Sequence, residues 1–497
     1  MKTKGVPQII VSWAVSLGVY SSGLKVAYYG DDMRHIFDRP AAMVFHDYCH
    51  ENTFGYYRPV ESSVLAIVQA VFGLNTVPIH LMQVLIHGSL GWLVFVFMKR
   101  LGFSTLRAAL ASLFLLISQA NVLAVASNDT LSQVGGTFLG YFSLWLLYCS
   151  YVQRSSFDHY VPSHPNRKLH TLSLIAFLLA LFSKESSVSF LPMLMSVVFF
   201  LSLTTETIRL RVVEMASAVW PYLAVFLLYL VMRAFAINGQ SIYSSGGLLH
   251  IGANVPRNLA LSFFGLSIPA STVSIFQAFK NREIGMVVLC IAATLAVWCA
   301  VVYAIISSRQ RRTIVVSALF SVVALLPMVA MTHISELYLY NSLPCFAVLV
   351  GCGLGAIVEN ARDNGAKMSL TILIVMLFFT SHFVAVRRKT VMMRQNGERA
   401  GELLRQIVAK SGEVPSKGEL VLVNPRNDRV EYSVFVCNGF NVLEFGLSSR
   451  MKQLTGRDDI SARIVESTFL GESPPSTGRL ILTLSGDEIR VIDAENH

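Results

Sequence analysis

PQIIVSWAVSLGVYSSGLKVAYYGDD, residues 7–32, decides how this chain is read. Residues 7–27 form an apolar run long enough to cross a hydrocarbon core, which takes about 20 apolar residues. Gly30-Asp31-Asp32 follows it directly. The same alternation continues along the chain. Charged residues fall almost entirely between long apolar runs, and they sort by side. One set of gaps is rich in Lys and Arg; the other holds nearly all the acids and His residues. This is the pattern of a many-spanning membrane protein with a polar site at one membrane face, as expected of a catalyst acting on lipid-borne substrates.

Composition agrees. The chain is 54% hydrophobic and 14% charged, with a mean hydropathy of +0.56, whereas soluble domains carry about a quarter charged residues. The formal charge of +10 fits the cation bias of cytoplasmic loops. No basic stripe interleaved with aromatics argues for nucleic acid. The seven Cys show neither CxxC nor a His-Cys ligand spacing. Without a small-x-small cleavage site, residues 7–27 read as a retained signal anchor.

Eleven spans are expected, near 7–27, 78–98, 105–126, 131–151, 169–183, 186–203, 215–237, 285–307, 313–332, 337–357 and 368–386. With the N-terminus inside, every inner loop is basic, for example Lys99, Arg100 and Arg107, or Arg309, Arg311 and Arg312. The outer segments are then 28–77, 127–130, 184–185, 238–284 and 333–336. Arg387, Arg388 and Lys389 follow the last span on the outer side. Either they meet lipid headgroups or the count is off by one. One helix through 169–203 would bury Lys184 and Glu185 at roughly 2.5–3.5 kcal/mol each. A hairpin with both at a recessed outer tip avoids that cost. Within the first outer loop (28–77), residues 59–73 read as an interfacial helix opened by Pro59 and Glu61.

Composition changes after the last span. Residues 396–410 are an amphipathic helix with Leu403, Leu404 and Ile407 on one face. Residues 419–424, 432–436, 442–445, 462–466 and 479–484 are short β-prone runs. The fold class expected is an all-α polytopic membrane protein of about 11 transmembrane helices (1–390) with a small C-terminal α+β soluble domain (391–497).

The polar residues at the outer face are the candidates for chemistry. Asp31 and Asp32 could supply a general base and a residue that orients it or holds a metal; the alternative is a helix cap. Arg58 at a helix start could clamp a phosphate or sit in an interfacial aromatic belt with Tyr56 and Tyr57. Lys184 suits a donor phosphate; its alternative is an ion pair with Glu185 that closes the turn. His333, Glu336, Tyr338 and Tyr340 surround the start of the tenth span, where the Tyr pair could also be an interface anchor. His80 and His87, two turns apart on the second span, read as polar interhelical contacts.

These residues carry a resemblance. Asp31-Asp32, Tyr57-Arg58-Pro59, Phe72-Gly73-Leu74-Asn75 and Ile79-His80-Leu81 with His87 resemble the opening of GT-C glycosyltransferases. They are similar to the O-mannosyltransferase-like proteins that carry tetratricopeptide arrays. Leu181-Phe182-Ser183-Lys184-Glu185 is similar to the Ser-Lys-Glu hairpin of that group, and Pro327 with His333–Pro344 resembles its late Tyr-rich element. The resemblance covers residues 7–390. It implies a dolichyl- or undecaprenyl-phosphate sugar donor, transfer on the outer face and a first-loop acid as catalyst. The chain departs from the pattern in having no tetratricopeptide repeats and in Tyr57, where Phe is frequent.

The resulting expectation is an integral-membrane hexosyltransferase that moves a sugar from a polyprenyl-phosphate carrier to the hydroxyl of a protein or glycan acceptor, with inversion. Asp31 or Asp32 is the catalytic base. Arg58, Lys184, Glu185, His333, Glu336 and Tyr338 bind donor phosphate or substrate. No cofactor is required by the sequence; a divalent cation (Mg or Mn) at Asp31 and Asp32 is left open. Membrane lipid is a partner and nucleic acid is not. The compact loops suggest a bacterial inner membrane, with site and C-terminal domain facing the periplasm. The alternatives are a flippase for lipid-linked sugars, which would place charges near the bilayer midplane, and a catalytically inactive scaffold of the same fold.

Overall fold

Apolar runs bounded by Pro, Gly and polar caps fold as helices in the computed structural model. It describes residues 6–30, 32, 46–50, 56–152, 166–201, 208–237, 251–332, 334–424, 434, 435, 437, 439–443, 447–466, 479–486 and 488–492. The helices are α1 (Val6–Tyr20), α2 (Pro59–Phe72), α3 (Val77–Arg100), α4 (Thr105–Ile117), α5 (Val122–Ala126), α6 (Leu131–Tyr151), α7 (Arg167–Ser183) and α8 (Phe190–Leu201). They continue with α9 (Ile208–Ala236), α10 (Asn254–Ser267), α11 (Thr272–Lys280), α12 (Ile284–Ser307), α13 (Arg311–Val329), α14 (Leu343–Ala361), α15 (Gly365–Lys410) and α16 (Leu447–Thr455). Pro opens α2, α3 and α14 within their first two positions, where its missing N–H costs no hydrogen bond.

Each of the eleven expected runs overlaps at least one helix, though 7–27 is helical mainly to Tyr20 and 105–126 is divided between α4 and α5. Among the described residues, six helices are long and apolar enough to cross a membrane, or eight if each of two bent pairs is one span. α1, α7 and α8 are shorter, at 15, 17 and 12 residues. α6 has the length but buries Ser132, Gln133, Thr137, Ser143 and Ser150. One bent pair lies where no span was expected: α10 and α11 meet at 114° within the outer segment 238–284.

α14 is the centre of the bundle, with 72% of its apolar window buried, against 22–28% for α9, α12, α13 and α15. Those outer helices expose apolar flanks such as Trp220, Leu289 and Ile306, the surface a bilayer would cover. α14 gains its central place from small residues. A Cβ on Gly351 would lie 2.6 Å from Ala111 N and 2.7 Å from Arg107 O, so α14 and α4 meet backbone to backbone, as small-xxx-small pairs allow.

α15 continues for 46 residues without a break, about 69 Å at 1.5 Å per residue and more than twice a hydrocarbon core. The compositional boundary at 390/391 therefore falls inside a helix, and residues 396–410 are its distal part rather than a separate element. Beyond it lie β1 (Glu419–Asn424), β2 (Ser461–Glu466), β3 (Arg479–Ser485) and β4 (Glu488–Val491). The sheet order is β2-β1-β3-β4; β1 runs parallel to both neighbours and β4 is antiparallel to β3. The central strand buries Leu420 through Asn424, as a strand covered on both faces should. In the β-prone runs 432–436 and 442–445, the described residues 434, 435, 442 and 443 are not in strands. Val434 and Phe435 lie in a turn, and Gly439–Leu443 is a 3-10 turn. Their apolar side chains are buried without strand pairing: Phe435, Phe440, Val442 and Leu443 fill the core.

The C-terminal domain packs against the segment that follows α1. Gly30 N donates to Val442 O at 2.8 Å, and Tyr29 Oη donates to Val434 O at 2.8 Å. Gly397 of α15 lies so close to this segment that a Cβ there would be 2.7 Å from Ala27 O and 2.9 Å from Ala27 N. Gly397→Ala is therefore expected to destabilise the protein by about 1–3 kcal/mol through overpacking. Gly401→Ala, where a Cβ meets nothing within 4 Å, should be neutral or stabilising by up to about 1 kcal/mol. Thermal unfolding of the two variants in detergent checks this; equal melting temperatures would refute the close approach.

Candidate active site

The site begins where the chain leaves α1. Val26 is extended, residues 27–29 are irregular, Gly30 adopts φ +57°, and Asp32, two residues on, is buried. Asp32 faces the polar link between α5 and α6. Ser127 Oγ donates to Asp32 Oδ1 at 3.1 Å, and Asn128 Nδ2 donates to Asp32 Oδ2 at 2.8 Å. Ser127 Oγ also lies 2.7 Å from Asp129 Oδ1, so two carboxylates share one hydroxyl. Burial, and next the Asp129 carboxylate, hold the Asp32 carboxyl well above the usual carboxylate range, with the Asn128 and Ser127 hydrogen bonds opposing. Asn128 Oδ1 is buried and has no hydrogen-bond partner among the described residues.

The second wall is the tip between α7 and α8. Helix α7 stops at Ser183, Lys184 is extended (φ −152°, ψ 133°), and Glu185–Ser189 form a 3-10 turn. The expected hairpin is present, and both its charges are buried. Arg58 Nε donates to both Glu185 oxygens at 3.1 and 3.0 Å. Its Nη1 lies 3.7 Å from Glu61 Oε2. Glu61 Oε1 in turn accepts from Ser132 N, at the start of α6, at 3.0 Å. Burial raises the Glu61 pKa, against the pull of Arg58 and Lys184. Arg58 is thus committed to two carboxylates.

Lys184 differs from Arg58. Its side chain is buried and makes no hydrogen bond among the described residues, though it lies in the fields of Arg58, Glu185, Glu61 and Asp129. Burial, followed by Arg58, pushes its pKa down to about 8, with the three acids opposing. The tip is braced from behind. Asn341 Nδ2 donates to Ser186 Oγ at 2.9 Å, and Gln133 Nε2 of α6 donates to Asn341 Oδ1 at 2.6 Å.

Glu336 belongs to a second cluster. Lys389 of α15, fully buried, donates to its two oxygens at 2.6 and 2.7 Å. Gln119 and Thr272 complete this cluster, and the Phe435 ring lies 5.0 Å from Lys389 Nζ. Tyr338 is half-buried in the 336–341 turn. His80 Nε2 donates to Val26 O at 3.0 Å. His87 Nε2 donates to Leu116 O at 3.3 Å, so its Nδ1 accepts from Tyr340 Oη at 2.8 Å. Asp31 and His333 lie outside the described residues.

The structure therefore brings Asp32, Arg58, Lys184 and Glu185 into one connected set and adds Asp129, Asn128 and Glu61. Sequence reasoning had treated Glu61 as a helix-start residue and 127–130 as a short loop. The polar run Ser127-Asn128-Asp129-Thr130, expected from the sequence on the same side as Asp32, was the available signal.

No protein-family model and no curated protein sequence matches the chain. Solved structures do. The archaeal oligosaccharyltransferase AglB from Archaeoglobus fulgidus, in complex with an inhibitory peptide and a dolichol-phosphate, is similar with a TM-score of 0.53 at 11% identity, over 93% of this chain. The apo form of the Archaeoglobus fulgidus oligosaccharyltransferase gives a TM-score of 0.52 at 10% identity, over 93% of this chain. This chain spans 64% and 65% of the lengths of those two proteins. ArnT from Cupriavidus metallidurans in the apo state gives a TM-score of 0.49 at 13% identity, over 96% of this chain and 93% of that one. The chain has the GT-C fold, the membrane architecture of these oligosaccharyltransferases.

Proposed function

We propose that the chain is a membrane glycosyltransferase that moves a sugar from a polyprenyl-phosphate carrier to an acceptor hydroxyl. One observation carries this reading: a carboxylate pair, buried Asp32 and half-buried Asp129, shares a site with a buried lysine that has no hydrogen bond among the described residues. The dolichol-phosphate in the similar AglB structure supports a lipid-phosphate donor.

Asp32 accepts the acceptor's hydroxyl proton as that oxygen bonds the anomeric carbon. The bond from that carbon to the phosphate oxygen breaks on the opposite face, so configuration inverts. The phosphate keeps the electron pair and stays on the lipid. A carboxylate more basic than usual is a better proton acceptor near neutral pH. Lys184 stabilises the charge that develops on the departing phosphate, the main electrostatic demand of the step. Arg58 works indirectly, holding Glu185 and hence the tip that presents Lys184; this replaces the expectation that Arg58 itself clamps phosphate.

Asp32, Asp129 and Asn128 Oδ1 form a hard-oxygen donor set that fits Mg or Mn, although no group of three or more His, Cys, Asp or Glu is present among the described residues. A bound divalent cation would supply further positive charge for the phosphate. The site faces outside, since the opposite loops carry the basic residues. Active alkaline phosphatase fused to the C-terminus would report that side; an inactive fusion would reverse the orientation.

The test is transfer of labelled sugar from short-chain polyprenyl-phosphate donors by the chain in nanodiscs, across peptide and glycan acceptors. Label should leave the lipid phosphate in a protein-dependent way. Chelator should reduce the rate at least about tenfold, with recovery on adding Mg or Mn, as expected when a metal ligand set is disturbed. Donor left intact with every acceptor, and with water, would refute the reading. Chelator-insensitive transfer would remove only the cation.

A further inference from the structure

Three consecutive cations on α15 point in different directions. Lys389 is fully buried against Glu336, whereas Arg388 is exposed and Arg387 half-buried. Helical spacing places the two arginines on one face with Phe383, Val384, Val391 and Met392. This face forms an open hollow of about 500 Å³. Below it, Phe383 (40% exposed) and Val384 (56%) continue into exposed Leu373, Ile374, Met376 and Leu377, the apolar flank of the same helix. Along this stripe, bilayer-facing apolar surface ends at two guanidinium groups.

Neither arginine has a carboxylate partner among the described residues. Arg387 Nη1 donates to Ser21 Oγ at 2.9 Å, which uses one of its five donors and fixes the group. The hollow contains no acid. Nearby surface arginines are neutralised instead: Arg394 pairs with Glu398 and Arg405 with Glu402.

We propose that this face binds an anionic bilayer phospholipid, its phosphodiester on Arg387 and Arg388 and its upper acyl chain against Phe383 and Val384. The charge complementarity is direct, and planar guanidinium forks match phosphate oxygens. Continuity with the apolar flank gives the headgroup its depth. Ser21 closes α1, so the bound headgroup pins α1 and α15 at one interface, on the face where the C-terminal domain sits. The binding does not depend on the proposed reaction.

Native mass spectrometry of the full chain, released from detergent with phosphatidylglycerol and phosphatidylcholine at equal concentration, tests this. The wild type should retain phosphatidylglycerol preferentially. R388Q should reduce the preference about fivefold and R387Q/R388Q about 25-fold, from about 1 kcal/mol per interfacial arginine. Arg388 makes no hydrogen bond or ion pair among the described residues, so R388Q should fold normally. An unchanged preference in the double variant, or equal loss of both lipids, overturns the proposal. So does a preference confined to a polyprenyl monophosphate, which would make the face a carrier site.

Discussion

Asp32→Asn is expected to lower sugar transfer about 100- to 10,000-fold, the range for a lost general base, while the protein folds at least as well as the wild type. The asymmetry follows from its surroundings. Asn keeps the shape, and its carbonyl can still accept from Asn128 Nδ2. It also removes a carboxylate whose ionised form burial and Asp129 disfavour. A raised carboxyl pKa means that ionisation of Asp32 opposes folding above the normal carboxylate range, so the neutral isostere relieves that cost at pH 7. The melting temperature should hold or rise as turnover falls. Near-normal turnover, or a loss of activity matched by a loss of fold, would remove Asp32 as the base.

Lys184→Met is expected to reduce kcat/KM about 100- to 1,000-fold, the scale for losing one preorganised charge-stabilising donor. The substitution also leaves Glu61 and Glu185 with Arg58 as their only nearby buried cation among the site residues described. Some loss of stability would therefore come with it. Lys184→Met/Glu61→Gln separates the two effects by restoring the charge balance. The double variant should recover the wild-type melting temperature but not transfer. If it recovers transfer, Lys184 is a structural counter-charge and the phosphate assignment fails.

Much of this was legible because it is local. Apolar runs, their polar breaks and the awkward Lys184-Glu185 pair gave the helices and the hairpin directly, since charge in hydrocarbon forces a turn or a partner. β1, β2 and β3 followed from the β-prone runs 419–424, 462–466 and 479–484, but their parallel pairing did not. The partners were not legible. Asp32 meets Asp129 and Arg58 meets Glu185 only through tertiary packing, which separation in sequence conceals. Lys389 read as one of three equivalent cations, although 100° per residue already points it away from Arg387 and Arg388. Val442 and Leu443 looked β-prone because burial and strand pairing favour the same side chains. β4 was missed because Glu488 and Arg490 break the apolar signal of so short a strand.

The unbroken run of α15 carries a last consequence, one of phase. A helix turns about 100° and advances about 1.5 Å for each residue. The azimuth of the C-terminal domain about the bundle is therefore fixed by the number of residues between Lys389, locked to Glu336, and Gly397, wedged on Ala27. One residue gained or lost in that interval would swing the domain by more than a quarter-turn and tear Val442 from Gly30. Seven would return it almost to its bearing, but about 10 Å farther from the membrane. In this interval the chain must keep count.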